Sequence, residues 1–190
     1  MNEISKLKEQ IEKYIPYNEQ EKSDKEIMLK SLETFDDMLT RENKICHFTA
    51  SALVVSKDLK KVLMEYHNIY DSWCWEGGHA DGDSDFLAVA VREVEEETGL
   101  KIKGYENSKI ESIDILPVFG HFKKGKWVSA HLHISVAYIF FAEEENVRNK
   151  PDENSAVEWK DIDEVVNLTS ENYMIPVYEK LINKVKEMKK

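Results

Sequence analysis

Apolar residues recur at helical spacing in the first part of the chain. In the first segment these residues are Ile4, Leu7 and Ile11, and Pro16 ends the segment. Two stretches that resemble capping boxes, 18–21 and 23–26, mark alternative starts of a second helix. The apolar positions of that helix are Leu29, Leu32, Phe35 and Leu39. We predict that residues 1–45 form an N-terminal helical extension whose apolar stripe serves core packing or a subunit contact.

From His47 onward the pattern becomes typical of strands. Residues 48–55 and 61–67 are predicted to form a hairpin. Further strands are predicted at residues 73–75, 110–119, 127–141 and 157–159. The last helix begins near Ile175-Pro176, with proline in its first turn. Several strands with one central and one terminal helix indicate an α/β domain over residues 46–190, with helices on both faces of a sheet.

A glycine turn leads into a short amphipathic helix near the middle of the chain. The turn is Gly77-Gly78, and Ser84 is the predicted N-cap of the helix that follows. Gly99 is placed to end that helix as the first residue after its last turn. Three acids share the inner face of the helix: Glu93, Glu96 and Glu97.

The shared face raises an electrostatic problem, because carboxylates at this spacing repel one another. A bound cation relieves that repulsion, and Mg²⁺ or Mn²⁺ fits best, since hard cations take carboxylate oxygens and share substrate phosphates. The alternative is a solvated, acid-rich helix end without a ligand. The glycine pair directly upstream favours the metal site over that alternative.

The stretch from Gly78 to Leu100 resembles the Nudix box, G-x5-E-x7-R-E-U-x-E-E-x-G-U, where U is aliphatic. The matching positions are Gly78, Arg92, Glu93, Val94, Glu96, Glu97, Gly99 and Leu100. The chain departs from the pattern at Ser84, where the family has its first glutamate, and at Glu76, where a proline often precedes the glycines. Glu76 adds one more acid near the site. The resemblance to the Nudix (MutT-like) hydrolases implies an α/β/α sandwich with a mixed β-sheet.

The resemblance also implies a role for each matching residue. The expected metal ligands are Glu93, Glu96, Glu97 and the carbonyl of Gly77. Glu153 matches a further ligand of the family by its distance from Trp159. The expected catalytic residues are Arg92, Glu96, Glu97 and Glu153. Arg92 would orient the carboxylates through charge-assisted hydrogen bonds, and Glu96 or Glu153 would take a proton from the attacking water.

The activity that the resemblance implies is metal-dependent hydrolysis of a nucleoside diphosphate linked to another moiety. Trp73 is a candidate for stacking on a base or ring, although core packing is the alternative for any aromatic residue. His131 and His133 share one face of a strand and could contact phosphate or bind metal. For both histidines a structural imidazole is the alternative.

Composition limits the partners and the location. The net charge of −11 argues against a nucleic-acid polymer as partner but not against a nucleotide, because bound metal reverses the local charge. The chain has only two cysteines, which predicts a reducing, cytoplasmic environment without disulfides. No signal peptide is visible at the charged N-terminus, and the longest apolar run, residues 134–142, is shorter than the ~20 residues of a membrane helix. A homodimer is a further expectation.

Two other functions stay open from the sequence. An isoprenyl diphosphate isomerase on the same fold would need a catalytic cysteine, and Cys74 lies between two tryptophans that indicate a core position. A non-catalytic nucleotide sensor would keep the fold but lose turnover. The intact set of Glu93, Glu96 and Glu97 argues against the sensor.

Overall fold

A mixed, seven-stranded sheet lies at the centre of the structure, a computed structural model that describes residues 3–188. The helices are α1 (Glu3–Lys13), α2 (Glu19–Thr34), α3 (Phe86–Thr98), α4 (Val165–Leu168) and α5 (Ile175–Glu187). The strands are β1 (Cys46–Ser56), β2 (Lys61–His67), β3 (Ser72–Cys74), β4 (Glu76–His79), β5 (Ser112–Val118), β6 (His121–Lys123), β7 (Lys126–Val128), β8 (His131–Ala142) and β9 (Asn154–Asp161). Strands β6 and β7 form a separate two-stranded hairpin.

Strand β1 is the centre of the sheet, and all eleven of its residues are buried. It pairs in parallel with β8 along its whole length. On its other side it pairs with two different strands, with β4 near its beginning and with β2 at its end. Because β2 and β4 leave β1 at different points, the sheet opens between them, and a cleft forms there.

Two apolar clusters cover the two faces of the sheet, as the alternation of β1 shows. Phe48 and Ala50 belong to the cluster beneath α1, α2 and α3. Leu53 and Val55 belong to the cluster beneath α5. This arrangement confirms the predicted α/β fold with helices on both sides of a mixed sheet.

The N-terminal helices use their apolar stripe within this chain. Leu7 and Ile11 of α1 and Met28 of α2 are buried in the first cluster, so the stripe serves core packing. The capping box at 18–21 starts α2, with the Asn18 side chain accepting a hydrogen bond from the backbone N–H of Glu21. The second candidate start lies inside α2. The division into residues 1–45 and 46–190 stays a prediction.

Several predicted boundaries were wrong. The predicted second helix reached Leu39, but α2 ends at Thr34. The predicted strand 127–141 is divided between β7 and β8. The glycine pair lies within β4 rather than in a turn, because it pairs with β1. Local propensity misses this strand, since glycine-rich strands form only where another strand is present to pair with them.

A buried ion-pair group joins the helices at the edge strand β5. The ammonium of Lys180 on α5 lies 2.8 Å from Glu21 of α2 and 2.8 Å from Asp114 of β5. All three side chains are at most 3% exposed. Buried charges of this kind are tolerated only when each has partners, so the three residues depend on one another.

We predict that Lys180→Met lowers the free energy of unfolding by about 3–5 kcal/mol, because it leaves two buried carboxylates without their cation. Lys186→Met on the same helix is the matched control, since Lys186 pairs with Asp163 at an exposed site. The control should cost less than about 1 kcal/mol. Urea unfolding at pH 7 measures both, and equal losses in the two variants would contradict the role assigned to Lys180.

Candidate functional site

Helix α3 begins and ends at residues whose backbone conformation is specified locally. The N-cap is Asp85 rather than the predicted Ser84, and its side chain accepts a hydrogen bond from the N–H of Ala88 at 3.1 Å. The acid one residue later serves equally well as a cap, which explains the error of one position. Gly99 ends the helix in the left-handed conformation, with φ of 73°, as predicted.

The acids of α3 line a cleft, and the innermost is almost completely buried. Glu97 is 4% exposed, and its carboxylate accepts a hydrogen bond from the N–H of Gly77 at 3.0 Å. Burial raises the pKa of Glu97 well above its usual range, and neighbouring carboxylates raise it further. Burial also raises the pKa of Glu93, one turn earlier. Glu96 lies at the exposed end of the same row.

The glycine pair allows the strand to approach the helix closely. A Cβ atom on Gly78 would lie 2.5 Å from the carboxylate carbon of Glu93. A Cβ atom on Gly77 would lie 2.7 Å from the Cβ of Ser51 on the neighbouring strand β1. Both positions therefore need a residue without a side chain, and the missing side chains bring the backbone of β4 against the acids.

Two further carboxylates lie close to Glu97. Burial raises the pKa of Glu65 on β2 to about 7, and the side chain of Asn154 donates a hydrogen bond to it. Glu76, which the sequence suggested as an added acid, is completely buried, and burial raises its pKa well above the usual range. Within the described part of the chain, neither carboxylate oxygen of Glu76 has a hydrogen-bond partner. Among residues 3–188, no lysine, arginine or histidine forms an ion pair with Glu65, Glu76 or Glu97, so these three buried carboxylates lack a cationic partner.

Sequence reasoning missed Glu65 and Asn154, and only Glu65 had a visible signal. Leu63 is completely buried in the first apolar cluster, and Glu65 follows it by two positions on the same face of β2. A charged residue at an inward strand position is such a signal. Asn154 carries none, because its contacts with Glu65 and with the carbonyl of Glu97 join segments far apart in the sequence.

The structure brings Glu153 to the acids of α3. Lys150, which sequence reasoning missed, lies 2.8 Å from Glu153 and 3.5 Å from Glu96. All three residues line the cleft. Arg92 lies outside the lining, with its guanidinium 3.4 Å from Glu93 and 3.6 Å from Asp83.

Four imidazoles border the other side of the cleft, and sequence reasoning found two of them. The ring of His47 on β1 contacts those of His131 and His133 on β8 and of His79 on β4, and His133 contacts His79 and His131, with ring centroids 4.8–5.2 Å apart. Burial lowers the pKa of His47 and His133, and it lowers that of His79 to about 3. These three rings are therefore neutral near pH 7.

Trp73 is not among the residues that line the cleft. The alternation along β3 places Cys74 on the cleft side, so Trp73 faces the other way. There its ring lies beneath the ammonium of Lys160, 3.9 Å from the ring centroid. Trp75 and Tyr173 line the cleft instead. Trp73 thus lies away from the cleft lining, and its stacking role stays a prediction.

One cleft joins the acids and the imidazoles, with a volume of about 690 Å³. Acids of α3 and the loop before β9 form one side, and strands β1, β4 and β8 form the other. The hairpin β6–β7 contributes basic and aromatic residues to the rim, including Lys123 and Trp127. Pockets of this size accept small molecules.

The comparisons with known proteins agree with this geometry. The family model described as NUDIX domain matches residues 47–181. A search of curated proteins found no match.

Solved structures with a similar fold come from several organisms. A C. elegans Ap4A hydrolase has 17% identity and a TM-score of 0.53, over 74% of this chain and 98% of that chain. An E. coli dihydroneopterin triphosphate pyrophosphohydrolase has 18% identity and a TM-score of 0.54, over 72% and 95%. The NUDIX domain of Shewanella oneidensis NrtR, complexed with ADP ribose, has 17% identity and a TM-score of 0.52, over 82% and 97%. At these identities the likeness shows a common fold.

The two glycines should respond differently to substitution by alanine. Gly77→Ala forces a Cβ atom against Ser51, including its backbone Cα at 2.8 Å, so we expect a loss of about 1–3 kcal/mol in the free energy of unfolding. Gly78→Ala meets only the movable carboxylate of Glu93, so stability should fall less. Displacing that carboxylate should weaken Mg²⁺ binding about 10-fold or more. Urea unfolding and a calorimetric Mg²⁺ titration measure the two effects, and a larger stability loss in Gly78→Ala would contradict this assignment.

The pKa of Glu65 predicts a pH dependence of stability in protein freed of divalent ions. Its folded-state pKa, about 7, exceeds its ordinary value of 4.5, so its contribution is present below pH 4.5 and is lost as the pH rises through 7. The buried histidines have lowered pKa values, so their contribution to stability rises with pH and masks the effect of Glu65 in the wild type alone. The effect of Glu65 is therefore read as the difference between the wild type and Glu65→Gln. Between pH 5 and 8 the wild type should lose up to roughly 3 kcal/mol relative to the variant. Urea unfolding measures the free energy of unfolding of both proteins across this pH range. A constant difference between them would refute the raised pKa of Glu65.

Proposed function

This chain belongs to the NUDIX family and is a hydrolase of pyrophosphate bonds, and we propose that it cleaves a nucleoside diphosphate linked to another moiety with the help of Mg²⁺ or Mn²⁺. The observation that carries the proposal is the burial of Glu65, Glu76 and Glu97 close together, with no ion pair to a cation of the described residues. Hydrolysis of a charged pyrophosphate needs positive charge at this point, and a divalent ion provides it.

The donors around the acids fit a hard divalent cation. We assign Glu93, Glu96, Glu97, Glu153 and the carbonyl of Gly77 as its ligands, all of which offer oxygen. Burial raises the pKa of Glu97, and a bound cation would favour its ionised form and stabilise the site. When bound, the ion supplies charge neutralisation for the phosphates and for the leaving group.

In this proposal, one carboxylate at the exposed end of the acid row takes a proton from the attacking water. The candidates are Glu96 and Glu153, which line the cleft and both contact Lys150. Arg92 holds the carboxylate of Glu93 from outside the cleft. We assign Glu96, Glu97, Glu153 and Arg92 as the catalytic machinery, with Arg92 acting as a positioning residue.

A small nucleotide derivative suits the cleft better than a polymer. The volume of about 690 Å³ is that of a small-molecule site, and the net charge of −11 opposes a nucleic-acid backbone. The solved relatives that act on Ap4A and dihydroneopterin triphosphate or bind ADP ribose support this class of substrate. His131 and His133 border the substrate in this proposal, whereas Trp73 lies away from the cleft lining.

We also propose a cytoplasmic location, which the two buried free thiols support. Within residues 3–188, none of the helices combines the length and the apolar character needed to span a membrane. The homodimer stays a prediction.

The experiment is a screen of the purified protein with Mg²⁺ and with Mn²⁺ against nucleoside di- and triphosphates, ADP-sugars, dinucleoside polyphosphates and NADH. Products are read by mass. Glu97→Gln should lower kcat/KM at least about 100-fold, because it removes an innermost ligand. Glu95→Gln is the matched control, since Glu95 is an exposed acid on the same helix outside the cleft lining.

The outcomes separate the hydrolase from the sensor and test whether the acids act as ligands. Turnover that depends on the metal and disappears only in Glu97→Gln supports the hydrolase and identifies its substrate. Tight binding of one nucleotide without any turnover would overturn the proposal in favour of a sensor. An equal loss in Glu95→Gln would show that the acids act through overall charge rather than as ligands.

A further inference from the structure

Strand pairing gathers imidazoles on one face of the sheet. His47 on β1 is paired directly with His133 on β8. His79 on β4 is paired with Thr49, which lies two positions from His47 on the same strand. Paired residues, and residues two apart, share a face of a sheet, so the three imidazoles point to the same side.

Hydrogen bonding fixes which nitrogen of His47 carries the lone pair. Its Nδ1 lies 3.0 Å from the carbonyl oxygen of Asn43. A carbonyl only accepts, so Nδ1 donates its proton and Nε2 is left with a lone pair. Metal-binding histidines have this same arrangement, in which the other ring nitrogen donates to a carbonyl or carboxylate.

Two ring nitrogens in the group are buried without a partner. Neither Nε2 of His47 nor Nε2 of His133 has a hydrogen bond to any residue in the described range 3–188. A buried polar atom without a hydrogen bond costs free energy, so two such atoms side by side point to a missing ligand. One ligand nitrogen from each of His47, His79 and His133 can be chosen such that all three lie within 4.8 Å of one another.

We propose that His47, His79 and His133 bind a borderline transition-metal ion, represented by Zn²⁺. Neutral imidazole nitrogens suit Zn²⁺, whereas Mg²⁺ and Mn²⁺ prefer the carboxylate oxygens across the cleft. His131 is the candidate fourth ligand. Its Nδ1 lies 2.8 Å from the carbonyl of Ser129, which leaves its Nε2 available, and its ring lies 4.8 Å from that of His47.

This second site uses donors other than those assigned to the hydrolytic metal. Its ligands are nitrogens from three strands, whereas the acids belong to α3 and to the loop before β9. Both groups nevertheless line the same cleft. A Zn²⁺ ion with three protein ligands keeps one coordination position for water, for a substrate oxygen or for His131.

The test measures metal binding directly, without an activity assay. Protein stripped with a chelator is loaded with Zn²⁺, separated from free metal by gel filtration and analysed for metal content by mass spectrometry. We expect about one zinc ion per chain. Loading with Co²⁺ in place of Zn²⁺ should give the intense visible absorption of a tetrahedral nitrogen-ligated ion.

The variants distinguish this site from other donors on the protein. His47→Gln and His133→Gln should each weaken Zn²⁺ binding more than about 100-fold, since losing a ligand costs more than losing its hydrogen-bond partner. His121→Gln is the matched control, because His121 lines the cleft outside the three-histidine group. Glu97→Gln should also retain zinc. Circular dichroism checks that each variant is folded, and His79→Gln replaces any that is not.

The proposal is overturned by any of three results. The first is a wild type that retains no zinc after gel filtration. The second is zinc that remains in both His47→Gln and His133→Gln. The third is zinc that is lost in Glu97→Gln, which would place the ion among the carboxylates instead.

Discussion

The close approach of β4 to α3 is the constraint on which the site depends. Gly77 and Gly78 lack side chains, so the strand backbone reaches the carboxylates of the helix, and the N–H of Gly77 donates to Glu97. That contact buries Glu97 among further acids and makes a cation necessary for a fully ionised site. Both glycines pair with β1, and the missing side chain of Gly77 leaves room for Ser51 on that strand, so one local feature shapes both the sheet and the cleft.

The fold accommodates this charge because its other buried charges are compensated. Lys180 lies between Glu21 and Asp114, and this group joins α2, α5 and the edge of the sheet with every charge paired. The acids of the cleft are different, since Glu76 has no partner within the described residues and Glu97 receives only a backbone N–H. Among residues 3–188, the buried carboxylates without a cationic partner are therefore those near the proposed metal.

The opening of the sheet gives the cleft two sides of different chemistry. One side offers carboxylate oxygens from α3 and from the loop before β9, and the other offers imidazole nitrogens from β1, β4 and β8. Burial shifts the pKa values on the two sides in opposite directions, upward for Glu97 and downward for His79, so both sides favour their neutral forms in the absence of ions. Metal ions would reverse this preference at the acids, and the proposed zinc would use the lone pairs of the imidazoles.

The sequence by itself determined the acidic helix and its relation to the glycine pair, because those residues are neighbours along the chain and helical spacing fixes their common face. It also indicated the α/β class and the approximate positions of several strands along the chain. Only the tertiary structure decided that His47 and His79 meet His133, that Asn154 contacts Glu65, and that Trp73 faces away from the cleft. These contacts depend on which strands pair and in which register, and no local pattern specifies the partner of a strand that lies far away in the sequence.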